Sequence, residues 1–127
     1  MTVTPISDAE AHVMDVLWRQ RSAGPLSADE IAHALSPQRE WKPSTVKTLL
    51  SRLLAKGAIT AQADGRRYLY SPVLQREDWV RQESRGLLDR CFGGQLAPLV
   101  SHFAAQRKLK RADLDALKRL LNEHGRA

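Results

Sequence analysis

The chain has 127 residues, 43% of them hydrophobic and 27% charged, enough for one folded domain or two very small ones and unlike a disordered chain. No apolar run approaches the roughly 20 residues of a membrane helix, and the opening MTVTPISDAE lacks the basic and apolar regions of a signal peptide, so a cytoplasmic protein without membrane insertion is expected. Twenty basic residues against 14 acidic give a net charge of +6, and the single cysteine, Cys91, excludes an internal disulfide framework and a cysteine-pair metal site.

Ser7 and Glu10 form a capping-box pattern that opens a first helix, with Val13, Met14, Leu17 and Trp18 following at helical spacing. Ala23-Gly24-Pro25 ends it. Ser27 and Glu30 repeat the pattern before Ile31, Ala32 and Leu35, and Ser36-Pro37 stops this short helix. Trp41-Lys42-Pro43 starts a third helix, since proline suits the first turn, and Gly57 closes it as a left-handed cap. The stretch Ile59–Ala63 alternates apolar and polar, then Asp64-Gly65 precedes Arg66-Arg67-Tyr68-Leu69-Tyr70. Asp-Gly between alternating runs predicts a hairpin with a type I′ turn. A two-residue loop there sets Ala61 opposite Tyr68 and Ile59 opposite Tyr70, which assigns both tyrosines mainly to the core.

The order helix, helix, helix, hairpin is that of a winged helix-turn-helix. Its charge is not spread evenly. Between positions 39 and 76 lie Arg39, Lys42, Lys47, Arg52, Lys56, Arg66, Arg67 and Arg76 against only Glu40 and Asp64, which is the entire excess of +6. Such a segment is the footprint expected for a phosphate backbone. On a helical wheel, Val46, Leu49, Leu50, Leu53 and Leu54 share one side of the third helix. Ser44, Thr48, Ser51 and Ala55 share the other, flanked by Lys47 on one edge and by Thr45 and Arg52 on the other. Small central residues let a helix approach the floor of a major groove, and serine and threonine can still contact base edges. Arg66 and Arg67 at the hairpin tip suit a wing against the backbone or minor groove. The candidate DNA-contacting residues are Lys42, Ser44, Thr45, Lys47, Thr48, Ser51, Arg52, Arg66 and Arg67. Trp41 reads as a packing residue.

Beyond Pro72 the pattern is helical again. Trp79, Leu87 and Leu88 lie in one segment, which Gly93-Gly94 breaks; Leu96, Leu99, Val100 and Phe103 lie in a second, and Leu114, Leu117, Leu120 and Leu121 in a third. So short a region cannot readily close its own core. A second copy would complete it in a symmetric homodimer through Trp79, Leu87, Leu88, Leu96, Leu99, Val100, Phe103, Leu114, Leu117 and Leu121; the alternative is that these helices fold back on the N-terminal domain. The expected fold is mainly α with a small β-hairpin: a winged-helix DNA-binding domain over residues 1–72 and a helical dimerisation region over 73–127. Cys91, among Leu87, Leu88 and Phe92, reads as a small buried hydrophobe. His12, His33, His102 and His124 have no partners at ligand spacing, so neither metal nor cofactor is expected. No nucleophile–base pair, phosphate-binding glycine loop or carboxylate pair points to an enzyme.

The pieces ISDAEAHVMDVLW, WKPSTVKTLLSRLLAKGAI and RRYLYSPV, with the Gly93-Gly94 break, resemble the bacterial penicillinase and copper-homeostasis repressors of the BlaI, MecI and CopY type, over nearly the whole chain. The resemblance implies a homodimeric repressor that binds palindromic operators in double-stranded DNA. Ser44, Thr45, Lys47 and Thr48 would meet the groove, and Arg52, Arg66 and Arg67 the backbone. The copper-responsive members carry Cys-x-Cys pairs near the C-terminus, whereas the tail LLNEHGRA has none, which removes that switch. Penicillinase repressors are inactivated by a membrane-bound sensor protease at an Asn-Phe bond. The matching place here is LVSHFAA, which makes His102-Phe103 the candidate cleavage site, with the asparagine replaced. Against the repressor reading stands a winged-helix protein-interaction module whose third helix is an adaptor surface with no specific DNA site.

Overall fold

A computed structural model describes residues 5–37 and 39–125. The first four residues of the expected DNA-binding domain, its Gln38, and the last two of the dimerisation region lie outside them. The elements run α1 (Asp8–Arg19), β1 (Leu26–Ser27), α2 (Ala28–Leu35), α3 (Pro43–Ala55), β2 (Ile59–Asp64), β3 (Arg67–Pro72), α4 (Arg76–Phe92), α5 (Leu96–Ala105) and α6 (Arg111–His124), with a 3-10 turn at Arg21–Ala23. They fall into two compact units, Met1–Val80 and Arg81–Ala127.

Local chemistry sets the ends of the first helices. Ser7 and Ser27 each accept the N–H of the glutamate three residues on at 3.2 Å, and Glu10 and Glu30 return the bond at 2.9 and 3.0 Å. Both capping boxes therefore satisfy two of the donors a helix start leaves free. Gly57 has φ +77°, with its N–H donating to Leu54 O and that of Ala58 to Leu53 O. That pair of bonds is a Schellman turn, which needs the left-handed residue glycine supplies.

Val13, Met14, Val16 and Leu17 of α1, Ile31 and Leu35 of α2, and Val46, Leu49, Leu50 and Leu53 of α3 bury together with Leu26, Ala58, Ile59 and Leu74. Leu54, expected in this stripe, is 38% exposed. It lies about 90° around the wheel from the stripe's centre, beyond reach of the neighbours.

Three differences from the sequence reading concern the wing. First, β1 joins it: Leu26 pairs with Tyr70 and Ser27 with Leu69, giving a three-stranded sheet in the order β1-β3-β2. Two residues are too short to show periodicity. Second, the register differs: Ala61 pairs with Tyr70, Ala63 with Tyr68 and Ile59 with Pro72. Asp64 stays in the ladder opposite Arg67, so the loop is Gly65-Arg66. Only Gly65 of this pair has positive φ, at +64°, the pattern of a type II′ turn, where glycine comes first, not of I′. Third, Tyr68 is therefore near the tip and 57% exposed, while Tyr70 packs on the core.

The expected boundary after Pro72 also moves. Leu74 is 5% exposed, and the Trp18 indole N–H donates to its carbonyl at 2.9 Å. Trp79, expected at a dimer interface, packs against the first unit's core, its ring 5.4 Å from that of Trp18. A helical repeat shows that a residue is apolar, not which core receives it.

The second unit is of another kind. None of its described residues is buried. Leu87, Leu96, Phe103, Leu114, Leu120 and Leu121 are between 39% and 69% exposed. Cys91 is exposed in the single chain, not buried as expected.

Candidate nucleic-acid interface

Lys42 caps α3 and Pro43 begins it, so the helix starts without a side-chain cap and leaves its N-terminal face open. Ser44, Thr45, Lys47, Thr48, Ser51 and Arg52 are all exposed, as is Lys42. The helix is held from behind by its four buried residues, Val46, Leu49, Leu50 and Leu53, and presents short polar side chains in front. The Thr48 hydroxyl donates to Ser44 O at 3.0 Å.

The wing meets this face. A cleft of about 430 Å³ is walled by Lys47 and Ser51 of α3, by Arg66, Arg67, Tyr68 and Tyr70 of the wing, and by Ser27, Ala28 and Asp29 at the start of α2. It brings together four of the nine expected contact residues, from two elements. Lys42 at the cap of α3, and Ser44, Thr45, Thr48 and Arg52 on the helix, are exposed but do not line it. Lys47, Arg52 and Arg66 have no carboxylate partner among the described residues, whereas Arg67 Nε bonds Asp64 at 3.2 Å. The Ser27 N–H, then its hydroxyl, hold the Glu30 carboxyl below the usual range against a burial effect that raises it, and Arg67 adds to the lowering.

Two residues of the basic segment are engaged elsewhere. Lys56 bonds Glu10 at 2.5 Å. Arg39 Nη2 lies 2.7 Å from His12 Nε2, with its guanidinium 5.7 Å from the Trp41 ring centre. Counting charge along the sequence overstates what the surface offers. It also missed Tyr68, which correct hairpin register would have carried past the core to the cleft.

In the second unit, Leu99, Val100, Phe103 and Leu117 line an apolar groove of about 440 Å³ together with Leu109, Ala116 and Leu120, with Lys108 and Asp113 also in its wall. Leu88 is half-buried; Leu87, Leu96, Leu114 and Leu121 are exposed. His102 and Phe103 are exposed in α5, their rings edge to face at 5.8 Å. Among the described residues no three of His, Cys, Asp and Glu could hold a metal ion, and no helix is long and apolar enough to cross a membrane.

The family model described as "Penicillinase repressor" matches residues 6–123. The penicillinase repressor of Bacillus licheniformis is 33% identical over 122 residues, covering 96% of this chain and 93% of that protein. The methicillin resistance regulatory protein MecI of Mammaliicoccus sciuri is 30% identical over 118 residues, covering 93% and 94%. The solution structure of monomeric Bacillus licheniformis BlaI in complex with the blaP half-operator is 36% identical with a TM-score of 0.50, covering 61% of this chain and 90% of that one. With an open-faced α3, a basic wing and a family match over nearly its whole length, the chain belongs to the penicillinase repressor family.

Proposed function

We propose that this chain, a DNA-binding transcriptional repressor like its family, binds a two-fold symmetric operator as a homodimer, each protomer laying α3 in a major groove with the wing against the backbone. The observation that carries this reading is the cleft in which Lys47 and Ser51 of α3 meet Arg66 and Arg67 of the wing. Short side chains admit the helix, and the cations to one side hold phosphates. The half-sites would lie about one helical turn, ~34 Å, or a small multiple apart.

Four cations per protomer (Lys47, Arg52, Arg66 and Arg67) make roughly eight phosphate contacts in a dimer, and a log–log salt slope near −7 follows from counterion release. Replacing Lys47 and Arg66 by alanine removes half of those contacts and should bring the slope to about −3.6. The check is a fluorescence-anisotropy titration on a promoter duplex between 50 and 200 mM salt. A slope near zero, or equal affinity for the promoter and for random DNA throughout, would defeat the proposal and leave α3 as a protein-binding surface.

Inactivation would act on the other unit. A membrane-bound sensor protease that cuts His102-Phe103 would detach α6 and its leucines from the rest of the chain and so remove part of the apolar surface proposed to hold the dimer together. A cytoplasmic location follows from the DNA target.

A further inference from the structure

Thr48 lies mid-way along the outer face of α3, one turn beyond Ser44 and one before Ser51. Its hydroxyl donates to the Ser44 carbonyl at 3.0 Å. A hydroxyl carries a single proton, so this donor is used inside the helix. A helical threonine divides between two χ1 rotamers because its Oγ1 can bond a carbonyl one turn back, and the Ser44 bond favours one that makes it. With its proton used toward the preceding turn, Oγ1 keeps only acceptor lone pairs, and the Cγ2 methyl is the apolar group that Thr48 offers a partner.

Among base edges in the major groove, the thymine C5-methyl is the apolar one. Around Thr48 the polar work can be done by others: Ser44 and Ser51 have hydroxyls, and Lys47 an ammonium with no partner among the described residues. We infer that Thr48 is a specificity-determining residue that selects a thymine in each half-site by methyl–methyl contact, not by hydrogen bonding. This deepens the DNA-binding reading and rests on α3 entering the major groove.

Replacing thymine by uracil removes only the methyl group. A duplex is first selected from a random pool by the full-length wild-type protein. Each thymine of its half-sites is then changed in turn to uracil, and affinities are measured for wild type, Thr48→Val and Thr48→Ser. Uracil at one thymine per half-site should weaken wild type by about fourfold for each methyl group removed. Thr48→Val keeps the methyl and the shape, so it should keep the uracil penalty of about fourfold for each methyl group removed. Thr48→Ser should bind the thymine duplex about as weakly as wild type binds the uracil one, and should be indifferent to uracil.

The inference is overturned if wild type tolerates uracil at every position, if Thr48→Val loses the uracil penalty, or if Thr48→Ser keeps it. Failure of wild type to enrich any duplex over random DNA is a different result. It would overturn the repressor reading itself.

Discussion

Glu10, 2% exposed, stands at the third position of α1, where one carboxylate oxygen takes both the Ser7 N–H at 2.9 Å and the Lys56 ammonium at 2.5 Å. Burial pushes this carboxyl up, but the hydrogen bond and charge of Lys56 and the two bonds with Ser7 together outweigh it, and its pKa is held below the usual carboxylate range. The pair ties the start of α1 to the C-terminal end of α3. A carboxyl whose folded pKa lies below its unfolded one contributes stability that is complete above the unfolded value and is lost as pH falls through the folded one. In Lys56→Met the buried carboxylate has no cation, at a cost of about 3 kcal/mol at pH 7. As pH falls from the unfolded value of ~4.3 toward the lower folded one, that contribution is lost and the difference from wild type should shrink. Urea unfolding at pH 7 and pH 3.5 measures both gaps; equal gaps would show that the pair adds nothing. The capping half of this arrangement was legible from Ser7 and Glu10, three apart. The Lys56 half joins residues 46 positions apart, which no local pattern records.

At the scale of elements, the sequence was most legible where a helix has its own punctuation. The two capping boxes, Pro43, Gly57 and Gly93-Gly94 mark α1, α2, α3 and the end of α4 within a residue or two, because those residues act on their own backbone. The wing was harder. Asp64-Gly65 announces a turn but not whether glycine comes first or second, and that choice moved Tyr68 from core to cleft. The C-terminal end of α5 carries its own irregularity. Arg107 has φ +56°, its N–H donating to Ala104 O and that of Lys108 to Phe103 O at 2.9 Å. This is the turn that closed α3, built here without glycine, and a left-handed arginine costs about 1–2 kcal/mol. The His102-Phe103 bond sits inside the turn so closed, and a protease that takes its substrate extended must open it first. If the proposed sensor protease cuts here, mass spectrometry of cells carrying the triggered sensor should find a fragment ending at His102. Arg107→Gly relieves the strain at a smaller entropic cost of about 0.5–1 kcal/mol, so the fragment should form about two- to fivefold more slowly. Repressor loss without that fragment would remove His102-Phe103 as the cleavage point.

At the scale of the molecule, the two units differ in what they finish. Met1–Val80 closes a core from three helices and the sheet. Arg81–Ala127 buries none of its described residues, yet has Leu99, Val100, Phe103 and Leu117 along one groove and Leu121 69% exposed. Apolar surface so poorly covered is the usual mark of an interface, and a second copy supplies a surface of matching chemistry. Aspartate at both Leu117 and Leu121 would bury uncompensated charge in such an interface, which costs several kcal/mol per ion. The double variant should sediment as a monomer at concentrations where wild type is a dimer. All three tryptophans, Trp18, Trp41 and Trp79, belong to the first unit and border its core, so their emission reports whether that unit is still folded. Unchanged emission together with monomeric mass assigns the loss to association and not to unfolding. Each monomer would then hold one half-site, so affinity for the full palindrome should fall by a factor of about 100 or more, while affinity for an isolated half-site stays the same. A double variant that stays dimeric would take Leu117 and Leu121 out of the interface.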